Sequence, residues 1–183
     1  MFLFLFTSCK ESNEQLLDKA FILVKNKNYT EAIKVYDNII KSNNKIQLAY
    51  YNRGYCYLVL KNYPKALNDF NKTMALQTIN GAVVTYNGNS PFSKEEDRTQ
   101  ASFLDALYQR AQVKFYMDSV SSSFKDFQAL VDNNYKDKGN CILWQGTLLI
   151  KIGKKDQACK YFNKAKQLGD EEADLMINTY CGK

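Results

Sequence analysis

The amino-acid sequence predicts an all-α protein: a stack of helix pairs closed at its C-terminal end by a capping helix. Three observations support this prediction. The 183 residues include only two prolines and eight glycines, 45 % of the residues are hydrophobic, and one pattern of small and aromatic residues occurs four times. Scarce turn-forming residues favour long helices over many short strands. A composition of this kind is typical of a folded globular domain.

Residues 1–12 differ in character from the rest of the chain. Met1–Phe6 is apolar, two small residues follow, and the sequence turns polar after Cys9. This order resembles a bacterial lipoprotein signal, in which the cysteine carries the lipid. Phe6 stands where that signal prefers leucine, and no basic residue precedes the apolar run. The resemblance predicts a lipid anchor on Cys9 and a location in the cell envelope. The alternative is the hydrophobic N-terminus of a cytoplasmic protein.

A repeat begins after Ser12. The segment Tyr29–Tyr36 realigns with Tyr63–Phe70, 34 residues further on. In each of four units a small residue is followed 12 positions later by a second small residue and 16 positions later by an aromatic residue. The four trios are Ala20/Ala32/Tyr36, Gly54/Ala66/Phe70, Ala111/Ser123/Phe127 and Gly146/Ala158/Phe162. Small side chains allow two antiparallel helices to approach closely, and the aromatic ring then fills the space toward the next unit.

The period and the residues resemble the tetratricopeptide repeat. The resemblance is strongest at Tyr50–Tyr57. It is weakest in the third unit, where Lys114 replaces an aromatic residue and Ser121–Ser123 replaces the usual turn; we expect these serines to cap the unit's second helix. The resemblance implies a right-handed superhelical stack of about four helix-turn-helix repeats over residues 13–183. We expect the repeats near 13–45, 46–78, 94–135 and 138–169, with helix pairs near 13–26/29–42, 46–60/63–76, 94–117/120–133 and 139–152/155–168.

The spacing between the second and third leading small residues is 57 rather than 34 or 35, which places an insertion at about 77–99. Three pairs of residues within it, each with a glycine or a proline, predict turns. Ser93–Glu96 has the pattern of a capping box and would begin the next helix early. The insertion is either a flap that contacts a partner or a length of chain tolerated between repeats.

A capping helix is expected at about 170–180, because Gly169 can end the preceding helix and a polar outer face is needed to close the core of a repeat stack. This helix must pack against the helix that carries Cys159. A disulfide between Cys159 and Cys181 is therefore possible if their Cα atoms lie within roughly 7 Å; the alternative is two buried free thiols. The segment Ala158–Cys181 also resembles the closing repeat of Bacteroidetes-type tetratricopeptide proteins, which are often located in the envelope.

The residue types argue against catalysis. The chain has no histidine, its five cysteines form no Cys-x-x-Cys pair, and it has no glycine-rich phosphate loop. Without histidine, Ser-His and Cys-His pairs and His-ligated metal sites are excluded. We expect no enzymatic activity, no cofactor and no metal site. Of the 25 basic residues 22 are lysines, and the scarcity of arginine argues against nucleic acid as a partner.

The resemblance implies that the first helix of each unit lines a concave groove that binds another protein or a peptide. The candidate groove residues are mostly aromatic: Phe21, Tyr51, Tyr55, Tyr108, Gln112, Phe115 and Trp144. Such residues suit a peptide held through apolar anchors. They do not suit the clamp of lysines, arginines and asparagines by which some family members bind a C-terminal carboxylate. We expect a monomer. The alternative role of each ring is packing between repeats.

A second hypothesis comes from the uneven charge. Residues 136–168 contain eight lysines and two aspartates, whereas residues 169–183 contain one lysine and four acidic residues. The lysine-rich fourth repeat would then be an electrostatic module for nucleic acid or an anionic polymer or surface. Helix dipoles favour the same distribution on a purely solvated surface. Salt distinguishes the two hypotheses, because electrostatic binding weakens steeply with ionic strength.

Overall fold

The computed structural model describes residues 11–79 and 103–182, and within these ranges it contains α-helices and turns but no β-strand. The helices are α1 (Asn13–Lys25), α2 (Tyr29–Ser42), α3 (Gln47–Val59), α4 (Tyr63–Ile79), α5 (Phe103–Tyr116), α6 (Val120–Asp132), α7 (Lys138–Lys151), α8 (Lys155–Gln167) and α9 (Ala173–Tyr180). The all-α prediction is confirmed. The predicted start of the third pair at 94, most of the insertion and the lipoprotein-like residue Cys9 lie outside the described ranges.

Consecutive helices pack as the pairs α1/α2, α3/α4, α5/α6 and α7/α8, and each pair packs on the next. We call these pairs units 1 to 4. Each pair is joined by a short turn, which makes its two helices antiparallel neighbours. The capping helix α9 packs on α8. No helix in the described part of the chain is both long enough and apolar enough to cross a membrane.

The repeated trio forms the closest helix contacts. The aromatic member and the second small residue are fully buried in all four units. Where the first small residue is glycine, there is no room for a Cβ without a shift of the ring: a Cβ on Gly146 would lie 2.5 Å from the ring of Phe162, and one on Gly54 would lie 3.0 Å from the ring of Phe70. The predicted function of the small residues, close approach of two helices, is therefore confirmed.

The turn inside each unit has the same geometry. The residue seven positions after the leading small residue has a positive φ, at Lys27 (61°), Lys61 (59°), Asp118 (54°) and Gly153 (73°). Its N–H and the next N–H bond back to carbonyls of the first helix, as Gly153 N–H does to Ile150 and Lys154 N–H does to Leu149. This Schellman arrangement satisfies helix-end carbonyls and reverses the chain. Gly169, with φ of 81°, ends α8 in the same way, as predicted.

The prediction that Ser121–Ser123 cap the second helix of unit 3 is wrong. Helix α6 begins at Val120, and Ser119, at the N-cap position, makes no side-chain capping bond. Ser123 is instead buried inside the helix, and its hydroxyl donates to the carbonyl oxygen of Ala111 at 2.8 Å. A serine replaces the usual alanine here because its hydroxyl is small enough for the contact and finds an acceptor on the facing helix.

An arginine joins units 1 and 2. Arg53 on α3 donates from Nε and Nη2 to the two carboxylate oxygens of Asp69 on α4, at 2.8 and 2.7 Å. Its Nη1 donates to Asp37 on α2 at 2.6 Å. The side chain of Asp69 is 1 % exposed. Burial outweighs the neighbouring guanidinium and raises the pKa of the Asp69 carboxyl above its ordinary value.

The next interface repeats this arrangement one unit further on. Arg110 donates to both carboxylate oxygens of Asp126 at 2.8 Å and to Asn71 of the preceding unit at 3.1 Å. Lys114 also lies 2.7 Å from Asp126, which explains the lysine at a position where the repeat prefers an aromatic residue. Between units 3 and 4 the side-chain amide nitrogen of Gln145 donates a hydrogen bond to the amide oxygen of Gln128 at 2.9 Å. We call these three contacts the polar rungs.

Local contacts stabilise the first and the last helix of the described stack. Ser12 and Gln15 form a reciprocal capping box at the start of α1, which satisfies two free N–H groups. At the other end a disulfide joins Cys159 on α8 to Cys181 after α9, with the Cα atoms 5.7 Å apart. That distance is within the limit required by the predicted pairing. Cys56 and Cys141 are buried free thiols, and burial raises the pKa of each to about 12.

Candidate functional site

The first helices α1, α3, α5 and α7 lie side by side and form one face of the stack. Helix α3 contacts α5 directly. The hydroxyl of Tyr108 on α5 donates to Asn140 on α7 at 2.6 Å and accepts from Gln112 at 3.2 Å. Direct contacts therefore join α3 to α5 and α5 to α7.

The seven candidate groove residues differ in exposure. Phe21 is 62 % exposed and Tyr55 is 36 % exposed. The other five are half-buried: Tyr51, Tyr108, Gln112, Phe115 and Trp144. The two exposed candidates therefore belong to units 1 and 2.

The half-buried rings of units 3 and 4 pack on one another. The ring of Trp144 stacks on Phe127 at 5.8 Å between centroids and meets Phe115 edge-on at 4.9 Å. Tyr108 stacks on Tyr135 at 5.5 Å. The Nζ of Lys151 lies 4.2 Å from the centroid of the Phe115 ring. These rings therefore contribute to packing between repeats, which is the alternative role predicted for them.

Burial also determines the charge state of the groove tyrosines. It raises the pKa of Tyr51 and of Tyr108 to about 12. Both phenols therefore remain neutral throughout the physiological range, and each acts as a hydrogen-bonding group inside an apolar wall rather than as an acid or a base.

A pocket of 170 Å³ opens between α1 and α3, next to the most exposed ring. It is lined by Glu14, Leu17, Asp18, Phe21, Leu48 and Asn52. Its volume corresponds to roughly five or six liquid water molecules, which is room for one side chain. Phe21 is a predicted groove residue, whereas Leu48 and Asn52 were not predicted, because the register of α1 against α3 does not follow from the repeat pattern alone.

The lysines of unit 4 are on the surface. Lys154, Lys155 and Lys160 are exposed, whereas Lys151 is paired with Asp118 and donates to the carbonyl oxygen of Phe115 at 3.1 Å. In the described ranges no three cysteine, aspartate or glutamate residues come together as a metal site would require. Neither the groove nor the lysine surface contains a nucleophile paired with a base.

Two parts of the chain match the family model of the tetratricopeptide repeat, residues 48–77 and residues 141–168. These ranges coincide with units 2 and 4 and include both of the glycine-containing trios. The chain contains tetratricopeptide repeats. Units 1 and 3 have the same trio spacing and the same turn geometry, and this places them in the same stack.

The curated relatives match through a short stretch. Dynein axonemal assembly factor 4 of Pongo pygmaeus is 42 % identical over 67 residues, which is 37 % of this chain and 16 % of that protein. Sperm-associated antigen 1 of Rattus norvegicus is 36 % identical over 76 residues, or 42 % of this chain and 8 % of that protein. The chain thus spans less than a fifth of the length of either relative.

Solved tetratricopeptide structures are similar over most of the chain. MamA from Desulfovibrio magneticus RS-1 superposes with a TM-score of 0.68 at 18 % identity, covering 87 % of this chain and 76 % of that one. YrrB, described as a TPR protein with an unusual peptide-binding site, gives 0.67 at 18 % identity over 93 % and 75 %. The first TPR of Spaghetti (RPAP3), solved bound to an HSP90 peptide, gives 0.58 at 17 % identity over 77 % and 95 %. At these identities the similarity establishes the fold.

Proposed function

We propose that the protein is a non-enzymatic scaffold that binds a peptide or a segment of another protein along the face formed by α1, α3, α5 and α7. Tetratricopeptide proteins generally have this role, and two of the similar structures are described by their peptide-binding sites or bound peptide. The first helices of this chain present aromatic and apolar side chains at the corresponding positions, which suits a partner held through apolar anchors.

The observation that carries the proposal is the pocket between α1 and α3 with Phe21 at its rim. Phe21 is 62 % exposed and lines this pocket together with Leu17 and Leu48, so an apolar side chain of a partner can contact all three. The pocket beside it accepts one side chain, and Tyr55 continues the exposed aromatic surface toward unit 3. Glu14 and Asp18 also line the pocket, so a partner with an apolar anchor next to a basic residue fits best.

The test begins by finding the partner through the groove itself. A photo-crosslinking amino acid at position 55 would capture the partner for mass spectrometry, and its affinity for purified variants would then be measured. Phe21→Ala and Tyr55→Ala should each weaken binding roughly thirtyfold, because an anchor contributes about 2 kcal/mol or more. Ile22→Ala is the matched control, since Ile22 is next in sequence and 56 % exposed but does not line the pocket.

The opposite result would favour the electrostatic hypothesis. Lys154→Gln, Lys155→Gln and Lys160→Gln together should leave affinity nearly unchanged if the groove binds the partner. Loss of binding in that triple variant, with Phe21→Ala and Tyr55→Ala unaffected and with a steep dependence on salt, would reject the groove as the working surface.

We also propose that the protein is attached to the bacterial cell envelope through a lipid on Cys9. The support is the order of apolar, small and cysteine residues at the N-terminus, together with the disulfide between Cys159 and Cys181, which is typical of oxidising compartments. Expression in a bacterial host followed by detergent-phase partitioning tests this proposal: the wild type should enter the detergent phase and Cys9→Ser should not. Aqueous partitioning of both proteins would leave a cytoplasmic scaffold.

A further inference from the structure

The turns inside the four units lie along one edge of the stack. We call residues 25–30, 59–64, 116–121 and 151–156 the turn edge. Direct contacts join neighbouring turns: the rings of Tyr63 and Tyr116 stack at 5.3 Å, and Lys151 donates to the carbonyl oxygen of Phe115 at 3.1 Å. Each first helix ends and each second helix begins at this edge. A cavity of 590 Å³ opens between the turns of units 2 and 3 and is lined by Leu58, Val59, Lys61, Tyr63, Gln112 and Tyr116.

Three of these tips expose an apolar side chain at the same position of the repeat. Leu60, Met117 and Ile152 each lie six residues after the leading small residue, and they are 47 %, 39 % and 48 % exposed. The preceding residues Val59 and Tyr116 are 39 % and 46 % exposed. Five of the exposed large apolar side chains in the described part of the chain are thus collected on one edge.

The same edge is basic. Its four turns contain six lysines, all exposed, against two aspartates, and one of those aspartates, Asp118, is paired with Lys151. Helix dipoles do not explain this excess, because the C-termini of the first helices and the N-termini of the second helices meet here and oppose one another. An exposed apolar residue accompanied by lysine is the combination that favours the surface of an anionic bilayer.

The opposite edge lacks both properties. Its three described turns, residues 42–47, 133–138 and 167–172, contain three lysines and four acidic residues. Leu168 is the exposed large apolar residue there. Because the two edges differ in charge, the turn edge is the one expected to face a negatively charged surface.

We propose that the turn edge docks on a lipid bilayer with anionic headgroups, with Leu60, Met117 and Ile152 entering the interfacial region and the lysines of the turns contacting the headgroups. The exposed apolar residues lie in the turns of three consecutive units, so a flat surface can contact all of them at once. The excess of lysines at the same edge favours an anionic bilayer as that surface. The docking surface is distinct from the α1/α3 pocket and does not depend on the proposed groove function.

The test is binding of the full chain to vesicles, with Cys9→Ser as the common background so that no lipid anchor contributes. Vesicles of phosphatidylcholine with about 30 % phosphatidylglycerol, roughly the charge density of a cytoplasmic leaflet, are compared with pure phosphatidylcholine in a flotation assay. The parent protein should bind the anionic vesicles and lose binding as salt is raised. Lys61→Gln, Lys154→Gln and Lys155→Gln together should weaken binding roughly a hundredfold, at about fivefold per lysine. Leu60→Ser, Met117→Ser and Ile152→Ser together should weaken it more than about tenfold.

The control variants carry the same types of substitution outside the turn edge. Lys41→Gln, Lys45→Gln and Lys160→Gln remove three exposed lysines outside the turn edge, and Leu168→Ser with Leu175→Ser removes apolar residues that are 49 % and 67 % exposed. These variants should bind as the parent does. All the proteins share residues 1–10, so any binding through that segment cancels in the comparison.

The orientation of the protein on the vesicle is measured by tryptophan fluorescence. The emission of Met117→Trp, taken as the difference from the parent protein, should shift to the blue on anionic vesicles, and that of Leu168→Trp should not. Equal vesicle binding by the parent and both edge variants would overturn the proposal. So would loss of affinity for a captured protein partner in the edge variants with vesicle binding unchanged, because that result would assign the edge to a protein.

Discussion

Replacing Arg53 tests the physical role of the polar rungs most directly. Arg53→Met keeps the length of the side chain but removes the guanidinium, and it leaves the Asp69 carboxylate, 1 % exposed, without its bidentate partner. Breaking a buried ion pair by removing one member typically costs about 3–5 kcal/mol, because the remaining charge is buried and uncompensated. We expect a loss of that size in the free energy of unfolding at pH 7, measured by urea denaturation followed by circular dichroism at 222 nm.

Arg110→Met is the matched control at the equivalent position. Its partner Asp126 keeps a second cation, Lys114, at 2.7 Å and is more exposed than Asp69. The remaining carboxylate is therefore still paired, and we expect a loss of only about 1–2 kcal/mol. The double variant Arg53→Met/Asp69→Leu should recover most of the stability that Arg53→Met loses, because no buried charge is left.

The effect of Arg53→Met should also depend on pH. Burial already raises the pKa of Asp69 in the folded protein, and removing Arg53 takes away the largest of the effects that lower it, leaving only the charge of Lys65. A raised folded-state pKa means that the folded protein binds a proton more tightly than the unfolded chain, whose aspartates titrate near about 3.9. The cost of the substitution is therefore full at neutral pH, decreases as pH falls through the folded-state pKa of Asp69, and is smallest near pH ~4. A loss below about 1 kcal/mol at pH 7, or one equal to that of Arg110→Met and constant with pH, would refute this reasoning.

Three further predictions follow from the backbone and the ends of the stack. Gly146→Ala should destabilise the protein by about 1–3 kcal/mol, and by more than Gly54→Ala, because its new Cβ would lie 2.5 Å rather than 3.0 Å from an aromatic ring; unfolding curves of the two variants that coincide would contradict this. Lys27→Gly should raise the free energy of unfolding by roughly 0.5–1 kcal/mol, since φ is 61° there and glycine adopts that conformation without strain; a loss of stability would mean that the side chain of Lys27 has a role in packing. Cys159→Ser should cost about 3 kcal/mol for a bridge of sequence separation 22, and faster hydrogen exchange should appear first in α9; unchanged exchange in α9 would show that the bridge does not hold the cap.

The sequence predicts the fold well because the repeat trio encodes the closest contacts. A position such as Ala66 tolerates only a small residue, and the ring of Phe70 has to fill the space beside it, so the spacing of these types fixes both the helices and their pairing. The bounds of α2 follow directly, since the pattern predicts 29–42 and the structure has Tyr29–Ser42. Local rules alone also predict the end of α8 at Gly169, which needs its positive φ.

The polar rungs are less visible in a sequence. Arg53 and Asp69 are 16 residues apart, and so are Arg110 and Asp126; this repeated spacing was the available signal, and it equals the spacing from the leading small residue to the aromatic. Charged residues are usually assigned to solvated helix faces. Only the packing of one unit on the next reveals that these arginines lie between helices, because that packing depends on tertiary register rather than on hydrophobic period.

The exposure of the candidate groove residues also could not be predicted from the sequence. Phe21 and Trp144 are equally good anchors in the sequence, yet Phe21 is 62 % exposed and Trp144 stacks on Phe127. The difference arises because Trp144 packs on Phe115 and Phe127 of the preceding unit, whereas Phe21 lies on α1, the first helix of the described ranges. In a repeat stack, exposure therefore depends on the position of a unit as well as on its residues.

The rungs, the groove and the turn edge occupy different parts of each unit, and this makes their roles separable. Arg53 lies between the helices of two units, Phe21 lies at the rim of the α1/α3 pocket, and Leu60 lies at the tip of a turn. A substitution at Leu60 removes an exposed side chain and leaves the trio of its unit intact, so any change in binding is not a consequence of unfolding. Stability lost at Arg53 should reduce all binding in proportion to the folded fraction, whereas a loss at Phe21 or Leu60 should reduce only one kind of binding. Measuring both kinds of binding on all three variants therefore distinguishes a folding effect from the loss of either surface.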